Sequence, residues 1–128
     1  MKITNEALSK YRQRARALIS AIEKLSYGCI NSTPLIQGTA NEVYKRCGKS
    51  NCKCVNKAER HGPYRVIQIA NQGKTKQISV KGDDKDIWEQ TKQYQAEVKK
   101  YLKLKKLCLQ LEILTMHIIE QRTEDFPK

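Results

Sequence analysis

Cys47-Gly48-Lys49-Ser50-Asn51-Cys52-Lys53-Cys54, continued by Val55 to Arg60 and then His61-Gly62-Pro63-Tyr64, governs the reading of the rest of the chain. Three of the five cysteines and one of the two histidines fall in this stretch, in the pattern C-x4-C-x-C-x6-H. Cys47, Cys52, Cys54 and His61 are four soft or borderline ligands on one short loop, which is what a tetrahedral structural zinc ion requires. Gly48 and the Gly62-Pro63 pair suit the sharp turns of such a loop. Arg46, Lys49, Lys53, Lys57 and Arg60 are interleaved with the ligands, where they offset thiolate charge and present cations outward. The spacing is not one of the paired C-x2-C forms, so other readings stay open. Free cysteines can pack as small apolar groups, but nothing apolar surrounds these sulfurs in sequence. A disulfide suits an oxidising compartment. A reactive thiol is favoured by basic neighbours, but no acid or base lies close by to serve as its partner.

On the C-terminal side of the loop, Tyr64 to Ala70 alternates apolar and polar residues. Asn71-Gln72-Gly73-Lys74 supplies a turn with Gly73 able to take a positive φ, and Thr75 to Lys81 returns. A basic β-ribbon with Arg65, Lys74, Lys76 and Lys81 is expected. On the N-terminal side, Thr39 to Arg46 is expected as a first strand, weakly favoured by Val43 and Tyr44. A ribbon of two strands needs support from the loop and from a helix.

Residues 4–26 form a predicted helix, with Thr4 or Asn5 as N-cap and Gly28 ending it. Leu8, Tyr11, Ala15, Leu18, Ile22 and Leu25 recur at alternating spacings of three and four, a single seam. Gly82-Asp83-Asp84 breaks the ribbon and starts a long predicted helix over 85–121. Its seam runs through Ile87, Thr91, Tyr94, Val98 and Tyr101. After a shift at 101-104-107 it continues through Leu104, Leu107, Leu111, Leu114 and Ile118. Leu109, Ile113, Met116 and Ile119 widen the apolar face, so this helix needs more than one partner. The first helix is one, and a second copy of the chain is the next. Cys29 and Cys108 are read as packed residues and His117 as packed or solvated. The expected architecture is therefore α+β and one domain over 1–128: an N-terminal helix, a metal loop with a small antiparallel sheet over 39–81, and a long C-terminal helix packed on the first.

The 128 residues carry a net charge of +12, and its distribution is uneven. Residues 43–81 hold ten basic residues and one acidic residue, Glu59, whereas residues 82–128 hold nine of each. A focused positive field is the footprint of a protein that binds a phosphate backbone. The first 17 residues are polar and basic rather than apolar, and no run approaches membrane-spanning length, so a cytoplasmic protein, free or nucleoid-associated, is expected.

The motif Glu42-Val43-Tyr44-Lys45-Arg46-Cys47-Gly48-Lys49-Ser50-Asn51-Cys52-Lys53-Cys54, followed by His61-Gly62-Pro63-Tyr64, a basic hairpin and a long helix, resembles a group of small uncharacterised prokaryotic proteins often encoded near transposases. In that group Tyr-Arg-x-Cys-Gly-Lys-x-x-Cys-x-Cys precedes His-Gly-Pro-Tyr. The likeness spans about residues 38–100, with Lys45 in place of the usual Arg. It implies a zinc-bound nucleic-acid-binding module and an accessory role in a mobile-element complex, with no known reaction.

Two functions compete. In the first, zinc fixes the loop so that Arg46, Lys49, Lys53, Lys57 and Arg60 face phosphates, with Arg65, Lys74 and Lys76 extending the track. Aromatic residues near the patch are limited to Tyr44 and Tyr64, which disfavours single strands and leaves duplex DNA or structured RNA, duplex DNA first. In the second, the protein is an adaptor working through its long helix. An enzyme is not expected: HExxH, P-loop and C-x2-C motifs are lacking, and acidic ligands are sparse around the cluster. A homodimer or a larger nucleoprotein complex through the helices is the expected assembly.

Overall fold

The computed structural model describes residues 5–127, excluding the side chain of Asn71. Thr4, one of the two expected N-caps, and Lys128 lie outside these residues. The chain is α+β, in the order α1 (Asn5–Cys29), β1 (Thr39–Lys45), two 3-10 turns (Lys53–Val55 and Lys57–Glu59), β2 (His61–Asn71), β3 (Lys74–Ser79) and α2 (Lys85–Arg122). It divides into two compact units, Thr33–Glu97 and Met1–Ser32 with Val98–Lys128. No described helix is long and apolar enough to cross a membrane.

The unit Thr33–Glu97 is built on an antiparallel sheet in the order β1-β2-β3. β1 forms where the first strand was expected and ends one residue earlier, at Lys45. It pairs from Thr39 opposite Gln68 to Val43 opposite Tyr64, and after a register shift Lys45 lies opposite His61. Two contacts stabilise it. The Ala40 backbone N–H donates to Gln95 Oε1 of α2 at 3.0 Å. A side chain at Gly38 would stand 3.0 Å from Ile67 Cγ2, so a bare backbone lets the chain enter close beneath β2. β2 begins at His61, three residues before the alternation becomes visible, so Gly62-Pro63 lies inside a strand rather than in a turn.

The hairpin turn is as expected. Asn71 pairs with Lys74 across a two-residue loop in which Gln72 has φ 52° and Gly73 φ 79°. Two positive φ values give the turn whose twist matches its strands, and glutamine is a poor choice for the first. Gln72→Asn is therefore expected to stabilise the protein by about 0.5–1 kcal/mol, read as a rise in Tm.

The core of this unit is Cys54, Val66, Ile67, Trp88 and Thr91, all buried. Thr91 was expected on the buried seam, and its hydroxyl donates to the Ile87 carbonyl at 2.8 Å. Trp88 was not expected, and Ile87, placed on the seam, is 43% exposed. In its first turns α2 turns Trp88, Thr91 and Gln95 toward the protein, so the seam read from the sequence holds at Thr91 and is one position off at Ile87. The Arg65 guanidinium lies 5.0 Å from the Trp88 ring centroid, a cation–π contact that joins β2 to α2.

In the other unit, α1 and the second half of α2 run antiparallel. Gly28 stands beside Lys100, and Tyr11 and Arg14 share a cleft with Leu114 and His117. The expected seam residues of α1, from Leu8 to Leu25, are partly buried, as are Leu104, Leu107, Leu111 and Ile118, and Leu114 is buried outright. The helix passes through Gly28 and ends at Cys29, with Asn31 Nδ2 donating to the freed Gly28 carbonyl at 3.2 Å. Cys108, read as a packed residue, is exposed: it falls between the covered and uncovered faces of α2.

Candidate metal centre

Cys47 follows β1 by two residues, Cys52 precedes the first 3-10 turn, Cys54 lies within that turn, and His61 opens β2. Gly48, at φ 82°, reverses the chain after Cys47. The Cys52 N–H then donates to the Lys49 carbonyl, and the Val55 N–H to the Cys52 carbonyl, at 3.3 and 3.2 Å. The shift in register between Val43 and Lys45 brings the end of β1 against Gly62. A Cβ at Gly62 would lie 2.7 Å from the Val43 carbonyl oxygen, and φ there is 138°. This close approach holds His61 beside the loop, which accounts for glycine immediately after the histidine.

The ligand atoms of Cys47, Cys52, Cys54 and His61 all lie within 4.8 Å of one another. Cys52 Sγ is 3.2 Å from His61 Nε2, and Cys54 Sγ is 3.4 Å from Cys47 Sγ. Around an ion with metal–sulfur bonds of 2.3 Å, tetrahedral sulfurs stand about 3.8 Å apart. The four groups therefore fit one small ion with little movement, and they could hold a metal. Three sulfurs and one imidazole fill the coordination sphere, which is the make-up of a structural site rather than of one open to substrate.

The surroundings favour thiolates at two positions. The Cys47 thiol is held below its ordinary pKa by the backbone N–H of Lys49 and then by Cys54. Cys52 is lowered by the backbone N–H of Cys54, then by the Cys54 and His61 side chains. Cys54 accepts from the Cys47 N–H at 3.3 Å, which favours its thiolate, but burial and the two neighbouring thiols together push its pKa up. A divalent ion at the centre would reverse that last effect, because it stabilises every coordinated thiolate.

The eight basic residues expected to contact phosphate separate into groups. Arg46, Lys49, Lys53, Lys57 and Arg60 are exposed around the cluster. Lys57 and Arg60 line a shallow hollow with Tyr44. Lys74 and Lys76 lie at the far end of the hairpin: Lys76 pairs with Ile69, eight residues along β2 from His61, or roughly 26 Å. Arg65 is partly engaged, by Trp88 and by Glu42, whose Oε1 is 3.9 Å from its Nε.

A cleft of about 410 Å³ opens beside the cluster, lined by Cys47 and His61 together with Lys45, Arg46, Arg65 and Lys81. Tyr64 and Ser79 add hydroxyl groups to it. Lys45 and Lys81 were absent from the expected contact set. The pairing of Lys45 with His61, and the Val80 N–H bond to the Arg65 carbonyl at 2.8 Å, carry them into the cleft. Both depend on register across strands distant in sequence. The Tyr-Lys-Arg-Cys and Val-Lys pairs ending β1 and following β3 were the available signal.

A small α+β protein with a three-cysteine, one-histidine centre at the edge of a basic sheet is the class these features define. The profile of a domain of unknown function, DUF6788, matches residues 8–93, and the chain belongs to that family. Comparisons with curated proteins and with solved structures returned no match.

Proposed function

We propose that the protein is a non-enzymatic, zinc-stabilised nucleic-acid-binding module, with Cys47, Cys52, Cys54 and His61 as the zinc ligands. The observation that carries this reading is the cationic cleft, two of whose lining residues, Cys47 and His61, belong to the cluster. An ion there holds the loop and the start of β2 in fixed relation, so Lys45, Arg46, Arg65 and Lys81 converge without paying the ordering entropy on each encounter. Lys49 and Lys53 extend the positive surface across the loop. The ligand is a phosphate backbone, duplex DNA before RNA. Tyr44 and Tyr64, although 58% and 48% exposed, stand in separate hollows rather than in the row that base stacking needs. A role as accessory component of a larger nucleoprotein complex, such as that of a mobile element, fits a small module of this kind.

The test begins with the untreated protein, purified without nuclease, whose co-purifying nucleic acid is sequenced. Binding of a short DNA duplex is then measured at 50 and 200 mM salt. About five phosphate contacts weaken it on the order of 10²–10³-fold over that range. Lys45→Glu with Lys81→Glu is expected to abolish the salt-dependent binding while metal content stays at one ion per chain. Equal affinity in the double variant would exclude the cleft as the phosphate site. The adaptor reading draws on one observation, the uncovered apolar face of α2.

A further inference from the structure

The second half of α2 carries two apolar faces on opposite sides. One, through Leu104, Leu107, Leu111, Leu114 and Ile118, is covered or partly covered within the unit it shares with α1. The other is open: Leu102, Leu109, Ile113 and Met116 are 56%, 54%, 53% and 54% exposed. At about 100° per residue, Leu102, Leu109 and Met116 lie within roughly 20° of a single line down the helix, and the covered seam is centred about 180° away. A shallow groove of about 510 Å³ follows the open face, bounded by Leu102, Lys105, Lys106, Leu109 and Glu112.

We propose that this face pairs with the same face of a second copy, antiparallel, with the two-fold axis beside Leu109. The charge pattern selects both the partner and its direction. About that axis Leu102 meets the other copy's Met116, and Leu109 meets itself. Lys105 and Glu112 share one edge of the strip, at nearly equal distances below and above Leu109. The two-fold therefore sets Lys105 beside the second copy's Glu112, within about 1.5 Å in height, twice over. Parallel pairing would instead bring Lys105 against Lys106 of the other copy. An apolar line closed by opposite charges in one orientation and like charges in the other is how helices specify a partner's direction. With α1 on the far side of each α2, the product is a four-helix arrangement whose inner pair is α2 with α2.

Sedimentation of the full chain at micromolar concentration is expected to give twice the 14.8 kDa chain mass. Leu109→Glu is expected to give the monomer with its helical circular dichroism retained. Glu112→Lys weakens self-association about tenfold or more through two like-charge contacts, and adding Lys105→Glu to it restores the dimer. A monomer at every concentration tested overturns the proposal. So does a dimer indifferent to Leu109→Glu, or a charge swap that fails to restore what the single reversal removes. None of these readouts involves zinc or nucleic acid, so they stand or fall apart from the proposed function.

Discussion

Cys54→Ser is expected to empty the metal centre and to loosen the segment from Tyr44 to Lys81. Cys54 is the one fully buried ligand, its sulfur is 3.4 Å from that of Cys47, and it accepts the Cys47 N–H. A hydroxyl in its place is a weaker, shorter-reaching donor to zinc and leaves three ligands. Apparent binding energies of structural zinc are on the order of 10–16 kcal/mol and are coupled to folding, so loss of one thiolate exceeds what this small core can absorb. Elemental analysis should fall from about one zinc per chain to less than a tenth. Amide exchange should rise through the loop and the adjoining ends of β1 and β2, while the helical pair of the other unit keeps its protection. Wild-type zinc content in the variant would refute the ligand assignment. Acidification should act in the same direction: protons compete with the ion for Cys47, Cys52, Cys54 and His61, so zinc is retained at neutral pH and released as the pH falls.

Gly62→Ala is expected to be the most damaging substitution that removes no functional group. The added methyl would stand 2.7 Å from the Val43 carbonyl oxygen and 3.0 Å from the Tyr44 ring, at φ 138°. Neither the strand backbone nor the torsion can yield cheaply, and the cost is about 3 kcal/mol. For a chain of this length that lowers Tm by roughly 10 °C, and zinc affinity falls with it because His61 is displaced from Cys52. Gly82→Ala is the control: nothing lies within 4 Å of its added Cβ, and its φ is not in the positive range. It should leave Tm within about 1 °C, as surface substitutions do. Equal melting temperatures for the two variants would show that β1 does not press on Gly62 as described.

The parts of this structure that were legible in the sequence are those written in local spacing. The four side chains that could hold a metal were legible because ligand chemistry is concentrated in a few residue types. The turn at Gln72-Gly73 followed from a glycine between two alternating runs, and the α1 seam from its threes and fours. What escaped depended on which strand lies beside which, and in what register. Lys45 enters the cleft through pairing with His61, sixteen positions away, and Lys81 through its neighbour Val80, which bonds Arg65 fifteen positions away. Trp88 becomes a core residue because the opening turns of α2 lie on a sheet, while its later turns lie on a helix. The spacing in the sequence does place a shift between the two halves, but it sets the first half's seam on Ile87 rather than on the neighbouring Trp88. Cys108 was taken for a packed residue because a wide apolar face suggests burial all round, whereas the helix is covered on one side only.

The four ligands all come from the span between Cys47 and His61, so the set closes a loop of about fifteen residues and incurs only a small entropic penalty. No ligand comes from β3 or α2, which follow His61 in the chain. Closure of the cluster is thus a local event, and it fixes His61, the first residue of β2, opposite Lys45 at the end of β1.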